Sequence, residues 1–153
     1  MSLSLLSSGN IKSSLHSKSD KLVQWCHGSP GILPLLVHFP DMYEPLSMCI
    51  ENVWRKGLLK KGSGICHGIA GNAYSLLSVY IKNRDEKLLD KVIVFALHIL
   101  EAGVSECCSQ ADRPFSLFEG LSGTVHFMLD VLYLLKTETI DPNFNLFDGL
   151  SIF

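Results

Sequence analysis

The chain has 153 residues, 47% hydrophobic and 18% charged, which suits one globular domain with a substantial core and excludes a chain that is disordered as a whole. Thirteen Lys and Arg against fifteen Asp and Glu give a net charge of −2, so nothing points to a nucleic-acid partner; Arg55, Lys56, Lys60 and Lys61 form a local basic exception. No apolar run reaches the ~18 residues of a membrane span, and the first twenty residues lack the regions of a signal peptide.

Residues 1–20 are rich in serine and show little periodicity, which predicts a mobile tail. Residues 32–39 are apolar on every face, but Pro34 interrupts them and Pro40 closes them, so a helix there must be short or kinked. The next helix is expected from Pro45 to Lys56, with Leu46, Cys49, Ile50, Val53 and Trp54 at helical spacing. A Gly and Lys loop over 57–64 leads to a helix from Ile69 to about Lys82. A second follows from Glu86 to Ala102, ended by Gly103. Residues 104–114 are expected as a loop, Leu121 to Lys136 as a fifth helix, and the stretch from Thr137 as a polar tail that turns apolar near its end. The fold class is therefore all-α, built of stacked helical hairpins.

One short pattern recurs three times: Trp25-Cys26-His27-Gly28-Ser29-Pro30-Gly31, Ile65-Cys66-His67-Gly68-Ile69-Ala70-Gly71 and Leu117-Phe118-Glu119-Gly120-Leu121-Ser122-Gly123. Each runs apolar, x, x, Gly, x, small, Gly and enters an apolar stretch, and the steps between copies are 40 and 52 residues. Such spacing marks a helical repeat. The nearly all-apolar helix after each copy is expected in a buried inner layer, and the amphipathic helices in an outer one. The first two copies carry Cys and His where the third carries Phe118 and Glu119.

Cys26, Cys66 and His67 can supply two thiolates and an imidazole, the ligand types zinc prefers, with a fourth position left open. The alternative is that Cys26 and Cys66 are buried small apolar residues, as free cysteines often are. Five cysteines is an odd number, and most lie in or beside apolar helical patterns, so a disulfide framework is not expected. Cys107 and Cys108 are adjacent and do not comfortably bridge to each other. The cytosol is the expected compartment.

The stretches Trp-Cys-His-Gly-x-Pro-Gly, then Gly57 to Tyr74, then Pro114 to Gly123 together resemble the eukaryotic LanC-like proteins, relatives of the bacterial lanthionine synthetase cyclases. The resemblance covers about Trp25 to Leu135 and implies an α/α toroid of seven helical hairpins, of which about three are found in this chain. It implies a zinc ion held by Cys26, Cys66 and His67, glutathione as a partner, and zinc-activated thiol addition to dehydroamino acids in peptides. It also allows peripheral attachment at the plasma membrane. Lys61 matches a basic loop that meets a glutathione carboxylate, with a solvated lysine as the alternative. His27, beside a ligand, is either a proton carrier or a structural turn histidine. Glu119 is read as a helix N-terminal charge, and Trp25 and Trp54 as packing residues. His16 is not promoted to any role.

Residues 1–20 are expected to match nothing in the family, leaving 21–153 as a partial toroid domain. Inner helices without neighbours would expose an apolar face, so self-association is expected. The family's upstream half, with its acid/base His and Asp positions, finds no counterpart here, so weak zinc binding and impaired activity are expected, and a non-catalytic zinc and glutathione scaffold is the alternative function. A third class, a non-metal toroid hydrolase or cyclase, would need acidic pairs, and Glu119 and Asp130 are too isolated to form one.

Overall fold

A computed structural model describes residues 5–14, 16–17, 19–103 and 113–137. The architecture is all-helical: among the described residues there is no strand, only one isolated antiparallel bridge between Leu5 and Ile11. The α-helices are α1 (Leu33–Leu36), α2 (Tyr43–Lys56), α3 (Ile69–Asn83), α4 (Glu86–Ala102) and α5 (Leu121–Lys136). Short 3-10 turns at Ser29–Ile32 and Pro40–Met42 precede α1 and α2. The expected loop over 104–112, with Cys107 and Cys108, and the tail from 138 onward lie outside the described residues.

Proline sets the shape of the first hairpin. Pro34 falls within α1, which lasts a single turn, as the composition of that stretch requires. Helix α2 begins at Tyr43, two residues before the expected Pro45, because the 3-10 turn at Pro40–Met42 feeds directly into it. Pro45 still sits in the first turn, where its missing N–H has no intrahelical acceptor to lose.

The second hairpin is the centre of the molecule. Arg84, in a left-handed conformation with φ 57°, ends α3 through its N–H bond to Tyr80 O at 2.7 Å. Asp85 then caps α4 by accepting from Lys87 N at 3.1 Å. Two residues thus reverse the chain and lay α3 against α4. Helix α3 is buried along nearly its whole length, with Ala70, Ala73, Leu76, Leu77 and Val79 fully inaccessible. Helix α4 contributes one stripe, Leu88, Val92, Phe95, Ala96 and Ile99, to the same core. Trp54 stacks on Phe95 with ring centroids 6.1 Å apart and carries Lys91 Nζ over its face, so it is a packing residue.

Helix α5 is buried on one side through Phe127, Val131 and Leu134. Its opposite side presents Val125, Leu129, Leu132 and Leu135 to solvent, and α4 presents Val94, Leu97 and Leu100. An inner and an outer helix therefore both carry bare apolar surface among the described residues.

The serine-rich segment expected as a mobile tail has built structure in its described part. Leu6 N donates to Asn10 O at 2.8 Å and Gly9 N to Leu6 O at 2.9 Å, which closes a turn. Asn10 is 1% exposed, and Asp20 holds Lys56 at 2.9 Å while accepting from Ser8 Oγ.

Candidate metal centre

The repeated pattern is a repeated backbone geometry. In each copy the last glycine presses against the carbonyl of the apolar residue six positions earlier: Gly31 on Trp25 O, Gly71 on Ile65 O and Gly123 on Leu117 O. A Cβ at any of the three would land on that oxygen, so the helix entering after each turn can approach only through glycine.

Hydrogen bonds then link the copies at the same position of the pattern. Cys26 N donates to Cys66 O at 3.0 Å, and Cys66 N donates to Phe118 O at 2.7 Å. Ser63 Oγ and Thr124 Oγ1, 2.8 Å apart and buried, tie the second turn to the start of α5. Asn72, in the first turn of α3, donates from Nδ2 to both Val23 O and Gly57 O at 2.9 Å. The three turns therefore lie side by side at one end of the helices.

This arrangement gathers Cys26, Cys66 and His67, whose ligand atoms all lie within 4.8 Å of one another. Two thiols and an imidazole are a zinc donor set. Cys26, Cys66 and His67 would be the residues that hold such an ion. Cys26 is exposed, while Cys66 and His67 are half-buried, which leaves a solvent-facing side for a further ligand. The donor set fits the ion that the sequence resemblance implies.

The surroundings of Cys66 disfavour its thiolate in the absence of a cation. Burial, the adjacent Cys26 sulfur and the Glu119 carboxylate push the Cys66 thiol up to about 11, against the opposing pull of the Lys61 ammonium. Without a cation this thiol stays protonated at neutral pH. Lys61 and Glu119 both bear on the sulfur, so Glu119, expected only as a helix-end charge, also acts on the cluster.

His27 does not join the trio. Its Nδ1–H donates to Cys26 O at 2.7 Å, which fixes the tautomer and leaves Nε2 to solvent. Trp25 is half-buried, and with Lys12, Ser13, Cys26 and His27 it lines a groove of about 290 Å³ opening beside the Cys26 turn. His16 is exposed and stands apart. Asn10 and Asn72 also support the site and are not among the residues expected from the motifs. Asn72 carries a legible signal, a polar residue on an otherwise apolar inner helix. For Asn10 the signal is the Gly9-Asn10 turn pair inside a segment read as featureless.

An all-helical frame of glycine-entered hairpins, with two Cys and one His converging at one end, defines a helical-hairpin protein with a metal-ligand constellation. Residues 1–142 match the family described as Lanthionine synthetase C-like protein, and the chain belongs to that family. The match begins at residue 1, which corrects the expectation that the first twenty residues have no counterpart in it. The chain is 42% identical over 131 residues to Glutathione S-transferase LANCL1 of Danio rerio, and 35% identical over 135 residues to LanC-like protein GCL1 of Arabidopsis thaliana. Each similarity takes in 82% of this chain but only 32% and 31% of those proteins, so the chain spans about a third of their length. No helix among the described residues is long and apolar enough to cross a membrane.

Proposed function

We propose that Cys26, Cys66 and His67 hold one zinc ion, and that this centre serves the addition of glutathione to dehydroamino acids in peptides. The carrying observation is the convergence of the three donors within 4.8 Å in a chain of the LanC-like family. The name of the zebrafish relative, a glutathione S-transferase, supports glutathione as the thiol.

Bound zinc supplies a positive charge that keeps a neighbouring thiol deprotonated at neutral pH. The chain's own residues do the rest. Cys26, Cys66 and His67 would hold the ion, and the exposure of Cys26 would leave room for a further ligand. Lys61, exposed on the loop before Cys66, receives a glutathione carboxylate. In the addition the glutathione sulfur bonds to the β-carbon of the dehydroamino acid, the carbon–carbon π bond breaks, and a proton arrives at the α-carbon. His27, with Nδ1–H engaged on Cys26 O, offers Nε2 as the group that carries that proton. The expected setting is the cytosol, or the cytosolic face of the plasma membrane.

A second reading is a zinc and glutathione scaffold without turnover. It is favoured by the exposure of Cys26 and His27, since sites that run such chemistry exclude water. Mass spectrometry of a dehydroalanine peptide incubated with glutathione and the protein separates the two. The enzyme reading predicts protein-dependent glutathione adduct, abolished in Cys66→Ala and reduced severalfold in Lys61→Ala and His27→Ala. Glutathione binding with no adduct above the uncatalysed rate would leave the scaffold reading and sink the enzyme one.

A further inference from the structure

Cys26 is the outermost of the three donors, and it belongs to no helix. It sits at the tip of a tight turn: Gln24 N donates to His27 O at 2.9 Å and His27 N to Gln24 O at 3.2 Å. Cys26 N on Cys66 O and Asn72 Nδ2 on Val23 O tie the turn to its neighbours, and a side chain from far upstream closes its base. Asn10 Nδ2 donates to Leu22 O at 3.0 Å, and Asn10 Oδ1 accepts from Ser29 N at 2.9 Å. One amide therefore staples the two strands of backbone that flank Cys26, four residues before it and three after.

The staple is well anchored. Asn10 is 1% exposed and is itself fixed by its N–H bond to Ser8 Oγ and by Leu6 N on its carbonyl. Gly28 has φ +124°, and a Cβ there would meet Leu22 O and Asn10 Oδ1, so the turn is shaped to admit the amide. Asn52 Nδ2 reaches Ser29 Oγ at 2.8 Å and extends the network to α2.

We propose that Asn10 is a positioning residue for the metal centre: it sets the Cys26 turn at the distance from Cys66 and His67 that the three-donor arrangement needs. The inference rests on the zinc reading above for its biological meaning, but its geometric content is the juxtaposition of the Cys26 and Cys66 sulfurs. Groups that orient ligands from behind are worth about 10–100-fold in metal affinity. Asn10 acts through backbone, which places its effect at the lower end.

The test compares wild type, Asn10→Ala and Val92→Ala, the last a core truncation in α4 with no link to the site. All three carry Cys107→Ser and Cys108→Ser, so that this adjacent thiol pair does not compete, and two readouts are used: Co²⁺ titration followed by the thiolate-to-cobalt absorption, and capture of the metal-free dithiol by phenylarsine oxide, which must bridge two nearby sulfurs. Asn10→Ala is expected to weaken Co²⁺ binding about tenfold and to slow arsenical capture, while Val92→Ala lowers the melting temperature and changes neither. If Asn10→Ala does not fold, Asn10→Asp keeps the acceptor for Ser29 N and is expected to show a smaller loss in both readouts. Wild type that takes up no Co²⁺, yet captures the arsenical faster than the Asn10 variants, would defeat the zinc reading and leave the positioning role standing. Folded Asn10 variants that capture the arsenical at the wild-type rate overturn it.

Discussion

The Cys66 turn and the Phe118 turn share one backbone and carry opposite chemistry. Both enter their helix through an extended glycine, Gly68 at φ −122° and Gly120 at φ −120°. Both press a second glycine onto an upstream carbonyl, and a hydrogen bond joins them directly from Cys66 N to Phe118 O. Yet the first turn presents a thiol and an imidazole to a shared site, and the second presents a 49% exposed phenyl ring and a carboxylate. The difference separates two roles that the repeated pattern mixes: its glycines are obligatory for packing, and its x positions are free to carry function. Phe118 still supports the site, because its carbonyl fixes the backbone of Cys66.

Breaking the shared part of that comparison has the largest expected effect. Gly71→Ala places a methyl group on Ile65 O, a backbone atom in the fully buried centre of the molecule that cannot step aside. A loss of about 3 kcal/mol or more is expected, lowering the melting temperature by roughly ten degrees in a domain of this size. A Gly71→Ala protein that melts within two degrees of wild type would show that the close approach is not what the pattern encodes.

A smaller effect sharpens the comparison where the two helices entered by these turns meet. Tyr74 of α3 donates to Asp130 Oδ2 of α5 at 2.6 Å, and His126 Nε2 lies 3.8 Å from the same oxygen. Burial holds the Asp130 carboxyl above its ordinary value of 3.8, with the Tyr74 hydroxyl and His126 pulling against it. Because the folded value is the raised one, the stability contributed by this group is full below about 3.8 and is lost as pH rises through the folded value. Asp130→Asn keeps an oxygen for Tyr74 and removes the buried charge. Its stability relative to wild type should therefore increase from pH 4 to pH 8, by on the order of 1 kcal/mol, in thermal melts across that range. A difference that stays flat with pH would mean that the charge carries no cost in the fold.

The same separation explains what the sequence revealed. Helices α3, α4 and α5 are legible almost to the residue, because glycine entries, the Asp85 cap and strong apolar periodicity agree with one another. The start of α2 is displaced by two residues, since a 3-10 turn leaves no periodic mark. The trio Cys26, Cys66 and His67 is legible because equivalent positions in neighbouring repeats must meet. Asn10 is not legible in the same way. Its partners Leu22 O and Ser29 N are backbone atoms, which any residue supplies, and a link of that kind leaves no pattern at its far end. Glu119 was visible as a departure from the Cys-His pattern, but its bearing on Cys66 follows only from how the turns stack.

The most direct test of the zinc centre is the metal content of the purified chain. Elemental analysis of wild type should give one zinc per chain, and Cys66→Ser, retaining its helical circular dichroism, should give almost none. Wild-type protein that is folded and free of zinc after purification with zinc present, or a Cys66→Ser variant that keeps a full equivalent, would contradict the assignment of Cys26, Cys66 and His67 as its ligands.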